Sequence, residues 1–471
     1  MRGAVRSAGL VSTVILARIL TPDDFGVVAM SSLILGLLTV LSDMGTWQLL
    51  IRSGETDRRA YDTAWTIMLL QATVLAALMF VASYPAAAFF NDPRLTPVIQ
   101  LVALGSVVTG FQNVGIIMFR RDLDFRRDFL FGFYSKVVIV IPTVLLALYF
   151  RSYWALVAGN IIGHVLEVIV SYRMHPFRPR LSLHGWRRFV GYSLWITPSS
   201  VATYLNRKAD VFIVGHSANT AQMGAYNVAS ELSQMATSEI VTPMSRALFP
   251  NYAKLRDNRP ALATAFRHVL RTVSIITFGF GFGIAATADD VVHIVLGDQW
   301  GFAVPLIRWL GIFAAFASLL STLTGHILVV LHLERSMLVL NWTRLAVFSG
   351  AAAWASQHSG VVGIAMAAAL ATGAMVLPAT VFTMRQLGAP VVSTLVDIAK
   401  YLLAGCIMYA AIRAAHVDAL PFRALSLAWD VLVGTLVMSG LVYAFWVAGG
   451  RPDGPERRIL DRLTALARRA A

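Results

Sequence analysis

Long apolar segments separated by short polar breaks run along the whole chain. A spanning helix needs about 20 mostly apolar residues, and most of these segments reach that length. Only helices and closed barrels can span lipid, and barrel strands are shorter than these segments. The pattern predicts an all-α polytopic membrane protein. Its fourteen expected spans cover residues 4–20, 26–51, 63–90, 96–118, 129–150, 153–172, 189–215, 222–252, 262–285, 301–331, 336–356, 361–384, 395–415 and 424–448.

The basic residues between the segments support this count. Cytoplasmic loops of membrane proteins are rich in Lys and Arg. If the N-terminus lies inside and the connections alternate, 26 of the 39 Lys and Arg fall inside, five fall outside and eight lie within spans. The distribution predicts an even number of spans with both termini in the cytoplasm. It also accounts for most of the net charge of +14 without any nucleic-acid partner.

The composition excludes several other classes of protein. Hydrophobic residues make up 57% and charged residues 14% of the chain, against about 45–50% and 25% in soluble proteins. The single cysteine, Cys406, rules out a disulfide framework and a cysteine-based metal site. No connection between the expected spans is longer than about sixteen residues, which leaves no room for a soluble catalytic domain.

Two stretches recur within the chain at a distance of six spans. The second span aligns with the eighth, where Gly26 falls over Gly224, and the fifth aligns with the eleventh, where Lys136 falls over Arg344. The aligned segments are TPDDFGVVAMSSL (21–33) with NTAQMGAYNVASE (219–231), and RRDFLFGFYSKVV (126–138) with ERSMLVLNWTRLA (334–346). An even number of spans returns the chain to the same side of the membrane, so these repeats are parallel.

This repeat predicts two six-helix lobes around a central cavity, followed by two further helices. The expected domains are an N-lobe at 1–184, a C-lobe at 185–388, two C-terminal helices at 389–450 and a basic amphipathic cytoplasmic tail at 451–471. The tail has two interpretations: a helix lying on the anionic inner leaflet, or a solvated tail that only follows the positive-inside rule.

The acidic pair Asp23 and Asp24 opens the second span. Thr21 can cap this helix and Pro22 can be its first residue, which places both carboxylates at the positive end of the helix dipole. The sequence therefore predicts a tight hairpin at this point rather than a catalytic pair, with Gly26 allowing close packing just inside the membrane.

Several segments resemble a known family. They are LARILTPDDFG followed by LSDMG, then TYLNRKADVFIVG, MGAYNVASEL and PMSRALFPNYAKL within 203–255, and VLGDQWGFAVPLIRWL at 295–310. They are similar to the bacterial polysaccharide and oligosaccharide flippases of the multidrug/oligosaccharidyl-lipid/polysaccharide exporter superfamily.

This resemblance implies a multi-pass protein of the bacterial inner membrane, with fourteen helices that form a V around a central cavity. It implies alternating-access transport of an undecaprenyl-diphosphate-linked oligosaccharide, such as an O-antigen, capsule or exopolysaccharide unit, from the inner to the outer leaflet. Membrane lipids and a glycan polymerase or other assembly machinery are the partners it suggests, and it implies no cofactor and no catalytic residue.

Basic residues inside the spans are the candidate substrate-binding groups. An ionised side chain in hydrocarbon costs about 2.5–3.5 kcal/mol, so it faces a cavity, a partner or an interface. A cationic cavity would stabilise a diphosphate anion in its passage. The candidates are Lys136, Arg344, Lys208, Arg207 and Arg246. The alternatives are that Lys136 and Arg344 snorkel to the inner surface, and that Arg207 and Asp210, spaced i,i+3, neutralise each other.

Acidic residues inside the spans are candidates for ion coupling, because a desolvated carboxyl can carry a proton. They are Asp43, Glu167, Asp210, Glu231 and Glu239, and His164 lies i,i+3 from Glu167 in a spacing that suits a relay. The alternative for each is a structural ion pair. We expect no metal site: Asp289 and Asp290 with His293 could hold a cation, but solvated loop charge is the preferred interpretation.

Two other functions remain open. A cation-coupled multidrug exporter of the same superfamily would favour an acidic cavity, whereas this chain has more basic residues in its spans. A membrane glycan polymerase or glycosyltransferase would need catalytic residues on a sizeable outward loop, and Asp23 with Asp24 is the only hint of one.

Overall fold

The computed structural model describes residues 2–42, 46, 50, 57–417 and 422–450, and within them all regular structure is helical. The helices are α1 Arg2–Ile19, α2 Pro22–Ser42, α3 Arg58–Phe89, α4 Leu95–Gly110, α5 Ile117–Arg121, α6 Phe125–Phe150, α7 Tyr153–Met174, α8 Trp186–Ser217, α9 Thr220–Lys254, α10 Arg259–Ala286, α11 Ala288–Val291, α12 Val304–Thr324, α13 His326–Val330, α14 Glu334–Leu387, α15 Val391–Ala415 and α16 Arg423–Ala448.

The predicted class is confirmed, but the predicted number of spans is not. Every one of the fourteen expected segments overlaps a helix. Among the described residues, nine helices are long and apolar enough to cross a membrane, or ten if α4 and the segment Val114–Arg121, bent by 66°, form one broken span. The polytopic α-helical class therefore holds, and the count of fourteen stays a prediction.

Helix α14 shows why a span count by helix length falls short. It covers 54 residues and includes two of the expected spans, 336–356 and 361–384. The backbone of Gly360 has φ 56° and ψ −145°, which is not helical and breaks the element in two. This region of φ/ψ space is open essentially to glycine alone, so the residue type marks the break.

Contacts between Cα atoms divide the chain into two compact units, Met1–Asn227 (unit 1) and Val228–Ala471 (unit 2). The division falls within α9, whereas the repeat predicts a boundary between residues 184 and 185. A contact unit and a sequence repeat need not end at the same residue, so the predicted domain boundaries stay a prediction. The tail at 451–471 lies outside the described residues.

Small residues allow close helix packing in unit 1. A Cβ added to Gly159 of α7 would lie 2.4 Å from Cα of Thr143 in α6, and one added to Gly163 would lie 2.7 Å from Cα of Ile139. Lipid offers no hydrophobic driving force between spanning helices, so such backbone contact is a main source of their packing energy. It fixes α6, which carries Lys136, against α7, which carries Glu167.

Small residues also allow close helix packing in unit 2. A Cβ on Gly281 of α10 would lie 2.6 Å from the carbonyl oxygen of Gly311 in α12, so the two backbones touch. The buried aromatic rings of Phe278 and Phe282 extend the core from this contact toward α15, where a Cβ on Gly405 would lie 3.1 Å from the Phe282 ring. Helices α10, α12 and α15 thus form one packed body.

Candidate functional site

The start of α2 is built as the sequence predicts. The Thr21 hydroxyl oxygen accepts a hydrogen bond from the backbone N–H of Asp24 (3.3 Å), and the Asp24 carboxylate accepts one from the backbone N–H of Thr21 (3.0 Å). This reciprocal arrangement satisfies donors that a helix start leaves open. The other Asp24 oxygen accepts from the backbone N–H of Tyr153 (2.8 Å), at the start of α7. Asp24 is buried, and it joins two helix starts.

The second carboxylate of the pair belongs to an ion network at the same end of unit 1. Arg94, between α3 and α4, pairs with both Asp23 and Asp92. The Thr220 hydroxyl, at the start of α9, donates to Asp92 (3.0 Å) and accepts from Arg94 (3.3 Å). Burial alone would raise the pKa of Asp92, but hydrogen bonds from Arg94 and Thr220 outweigh it and hold the pKa below its ordinary value. Hydrogen bonds to Asp92 and Asp23 raise the pKa of Arg94.

The two glycines that the repeat aligns lie against each other's helices. A Cβ on Gly26 of α2 would lie 1.8 Å from the carbonyl oxygen of Thr220, and a Cβ on Gly224 of α9 would lie 1.9 Å from the carbonyl oxygen of Pro22. A Cβ on Gly224 would also lie 2.7 Å from the backbone nitrogen of Gly26. The predicted close packing at Gly26 is confirmed, and its partner is the start of the matching span in the second repeat.

Lys136 lies half-buried on α6, where its side chain faces α1. A Cβ added to Gly9 would lie 3.3 Å from Lys136 Cε and 3.5 Å from its Nζ. Gly9 therefore leaves room for the ammonium group beside α1, about one and a half turns into the predicted first span. Arg344, the matched residue of the second repeat, is also half-buried, on α14 of unit 2.

The basic pair on α8 divides between two environments. Arg207 is exposed and Lys208 is half-buried. Asp210 is buried, and its carboxylate accepts a hydrogen bond from the Tyr226 hydroxyl of α9 (3.0 Å). Among the described contacts of unit 1, none pairs Asp210 with Arg207, and none joins either α8 base to Lys136. The side chain of Arg246 lies outside the described residues.

The predicted ion-coupling residues also differ in their surroundings. Glu167 on α7 lies 3.4 Å from His164 Nδ1, the contact that the i,i+3 spacing predicts, and accepts a hydrogen bond from Gln112 (3.2 Å). Glu231 is exposed. Asp43 and the side chain of Glu239 lie outside the described residues, so their roles stay predictions.

The sequence did not predict one largely buried ion pair. Asp397 of α15 accepts hydrogen bonds from Arg271 of α10, with distances of 2.7 Å from Nη2 and 2.8 Å from Nε. Arg267 lies 3.4 Å from the same carboxylate and donates to Ser393 (3.0 Å). More than 120 residues separate Asp397 from its arginine partners, so no local sequence pattern predicts this pair.

The expectation for the acidic loop before α12 is wrong for one residue. Asp289 is half-exposed, with 49% of its side chain accessible, and its main-chain oxygen lies 2.8 Å from His293 Nδ1. Asp290 is instead buried, with only 5% of its surface exposed. Its neighbours come from α16 and from the residue after α15, which the sequence gives no reason to bring together.

Known proteins resemble this chain along most of its length. It is 23% identical to the lipopolysaccharide biosynthesis protein WzxC of Escherichia coli, over 76% of this chain and 73% of that protein. It is 21% identical to the succinoglycan biosynthesis transport protein ExoT of Rhizobium meliloti, over 97% of this chain and 92% of the relative.

Solved structures share the fold. The lipid II flippase MurJ in an inward closed conformation superposes with a TM-score of 0.76 at 13% identity, over 94% of this chain and 97% of that one. An inward-facing multidrug resistance transporter of the MATE family, a member of the MOP superfamily, superposes with a TM-score of 0.63 at 14% identity, over 81% and 94%. These likenesses establish the fold alone.

The family match covers most of the chain and confirms the resemblance. Residues 15–305 match the family described as polysaccharide biosynthesis protein. This range includes the capped hairpin at α2, the Gly26–Gly224 contact, the segment at 203–255 and most of the segment at 295–310 that carry the resemblance. The chain belongs to the polysaccharide biosynthesis protein family of multi-pass membrane transporters.

Proposed function

We propose that this protein is a flippase that moves an undecaprenyl-diphosphate-linked oligosaccharide from the inner to the outer leaflet of the bacterial cytoplasmic membrane by alternating access. The observation that carries the proposal is the family match over residues 15–305. The names of the relatives support it, since WzxC is named for lipopolysaccharide biosynthesis and ExoT for succinoglycan transport.

The substrate's chemistry explains the need for basic side chains. A lipid-linked glycan keeps its polyprenyl chain in hydrocarbon while its diphosphate crosses a region of low dielectric constant, where a nearby cation lowers the cost. We assign this role first to Lys136 and Arg344, which occupy matched positions in the two repeats and are both half-buried. Lys208 is the next candidate, and Arg207 and Arg246 complete the proposed set.

Alternating access requires an end of the protein that opens and closes. We propose that the contact between α2 and the start of α9 is part of the outer closure. Separation here would part Gly26 from Gly224 and break the Thr220 hydrogen bonds to Asp92 and Arg94. These bonds are partly exposed and worth about 1 kcal/mol each, so ligand binding can supply enough energy to break them.

Coupling to an ion is a further part of the proposal. Glu167 with His164 and Gln112 forms a polar group on the spanning helices of unit 1, and Asp210 with Tyr226 forms a second. Glu231, Glu239 and Asp43 remain candidates from sequence. We place both termini in the cytoplasm, the tail at 451–471 on or near the inner leaflet, and glycan assembly enzymes among the partners.

The enzyme alternative is the weaker one. It relied on Asp23 and Asp24, and both carboxylates are engaged in helix capping and in the Arg94 network. The multidrug exporter shares the fold, but the family match and the basic residues in the spans favour an anionic substrate.

Deletion of the gene in its own host tests the function. Loss of surface glycan with accumulation of the lipid-linked unit is the expected result.

The Lys136→Ala/Arg344→Ala double variant tests the site. It should fail to restore the surface glycan although the variant protein is present in the membrane at the wild-type level. Arg173→Ala/Arg413→Ala is the matched control, because this variant removes the same charge from exposed helix positions. It should restore the surface glycan. Full complementation by the first pair would contradict the site assignment.

A further inference from the structure

Three titratable side chains far apart in sequence meet in unit 2. They are Asp290 of α11, His416 directly after α15, and Asp430 in the second turn of α16. Each offers a ligand atom, and these atoms all lie within 4.8 Å of one another. His416 Nδ1 lies 2.8 Å from Asp430 Oδ2. We propose that this cluster binds one divalent cation, with Zn²⁺ the best match to its donors.

Burial separates this cluster from ordinary surface carboxylates. Asp290 has 5% of its surface exposed and Asp430 has 1%. Two carboxylates this close repel each other, and burial strengthens the repulsion because water no longer screens it.

The cluster contains buried carboxylate oxygens that lack hydrogen-bond partners. Asp290 Oδ2 and Asp430 Oδ1 are buried and have no hydrogen-bond partner among the described residues. The Ser426 hydroxyl, one turn before Asp430 on α16, is buried beside Asp290. Buried polar atoms in folded proteins nearly always have partners, so two unpaired carboxylate oxygens in one cluster indicate a ligand that binds there. A single divalent cation can satisfy both carboxylate oxygens and neutralise both charges.

The donor set selects the class of cation. Carboxylate oxygens suit most divalent ions, whereas an imidazole nitrogen favours first-row transition metals over Mg²⁺ and Ca²⁺. Two carboxylates neutralise a divalent charge, and three protein ligands leave a fourth tetrahedral position for the Ser426 hydroxyl or water. The nearby Arg423 adds a positive charge, which disfavours an ion with a charge higher than +2.

The location of this cluster indicates a structural role for the cation. It would tie α16 and the end of α15, the two helices that follow the six-helix repeats, to the segment that joins α10 and α12. The indole N–H of Trp429 donates to the main-chain oxygen of Ala415 (3.1 Å) and holds the same turn in place. A bound cation would thus fix the last helix pair to the body of unit 2 without any part in substrate binding.

The test uses the purified full chain with a tag that contains no histidine. After dialysis against a chelator, Zn²⁺ should bind saturably at one ion per chain and raise the unfolding temperature, and Co²⁺ should give the visible bands of a low-symmetry site with a nitrogen ligand. Mg²⁺ and Ca²⁺ should produce neither effect at the same concentration.

Asp430→Asn and Asp290→Asn are the variants of the site. Loss of one ligand should weaken Zn²⁺ binding by more than the about 10–100-fold that loss of an outer hydrogen-bond partner costs. Asp289→Asn is the matched control, since it removes a half-exposed carboxylate from the neighbouring position and should leave binding unchanged.

Substoichiometric, unsaturable Zn²⁺ binding by the wild type would overturn the proposal, whatever the variants do. Equal Zn²⁺ affinity in Asp430→Asn and the wild type would overturn it as well. If Asp430→Asn fails to fold, the same comparison is made with His416→Gln, which keeps a hydrogen-bonding side chain toward Asp430, and retention of the Co²⁺ bands in that variant would also contradict the site.

Discussion

A methyl group at Gly26 tests the contact between α2 and α9. The Cβ of Gly26→Ala would lie 1.8 Å from the Thr220 carbonyl oxygen. A carbon–oxygen contact normally needs about 3.3 Å, so the two helices must separate by about 1.5 Å. The Thr220 hydroxyl lies 3.0 Å from Asp92 and 3.3 Å from Arg94, and that separation takes both distances beyond hydrogen-bonding range.

The cost has two parts. Overpacking costs about 1–3 kcal/mol, and the two hydrogen bonds contribute about 1 kcal/mol each, because Arg94 is partly exposed and water replaces part of its bonding. The sum is about 3–5 kcal/mol. An exchange of glycine for alanine inside a helix also gains up to about 1 kcal/mol. Gly132→Ala carries the same gain at a position with no heavy atom within 4 Å, so the difference between the two variants isolates the contact.

Thermal unfolding in detergent, followed by tryptophan fluorescence, measures that difference. Gly26→Ala should unfold at a temperature lower than that of Gly132→Ala by about 3–5 °C, because the unfolding entropy of a 471-residue chain is about 1 kcal/mol/K. An unfolding temperature of Gly26→Ala equal to or above that of the control would refute the reasoning, because it would mean that the two helices do not touch at this point.

Three other substitutions have expected outcomes in the same assay. Asp92→Asn should unfold at a lower temperature than the wild type, by the same difference at every pH between about 5 and 8. The folded pKa of Asp92 is lowered, so the stability that its carboxylate contributes is present above the unfolded pKa of about 3.9 and is lost as the pH falls through the folded pKa. The difference between the variant and the wild type should therefore shrink below about pH 4. Asp397→Asn should cost about 2–4 kcal/mol, since it leaves the largely buried Arg271 without its carboxylate. Gly360→Ala should cost about 1–3 kcal/mol, because alanine is strained at φ 56° and ψ −145°.

Each of these variants has a matched control. Asp122→Asn removes an exposed carboxylate from a pair with the neighbouring Arg121, and Asp128→Asn removes one from a surface pair with Arg120, a kind of pair worth about 0–1 kcal/mol. Gly350→Ala lies in the same helix as Gly360 in open space. A pH-independent effect of Asp92→Asn, or an Asp397 or Gly360 variant as stable as its control, would contradict the corresponding account.

The parts of the fold that depend on local pattern were predictable. Runs of apolar residues gave the helices, and the polar stretch between the eleventh and twelfth expected spans fell where Gly360 breaks α14. The hairpin at Asp24 was readable because capping uses residues three positions apart. The sequence predicted close packing at Gly26 and aligned it with Gly224, but it did not show that the helices of these two glycines touch.

Contacts between distant residues were not predictable, and they decide the candidate sites. The i,i+3 spacing suggested Arg207 as the partner of Asp210, whereas burial against α9 gives Asp210 the Tyr226 hydroxyl instead. The Arg271–Asp397 pair joins residues 126 positions apart, and similar distances separate Asp290 from His416 and Asp430. Only the three-dimensional packing of α10, α15 and α16 brings these side chains together.

The central claim is that this chain carries a lipid-linked glycan across the membrane. Its most direct test is translocation of a fluorescent undecaprenyl-diphosphate oligosaccharide in proteoliposomes, scored by the access of a membrane-impermeant reagent to the glycan. The account predicts wild-type transfer well above protein-free vesicles, loss of transfer in Lys136→Ala/Arg344→Ala, and retention in Arg173→Ala/Arg413→Ala. Wild-type transfer no faster than in protein-free vesicles, with the host's own glycan as substrate, would contradict it.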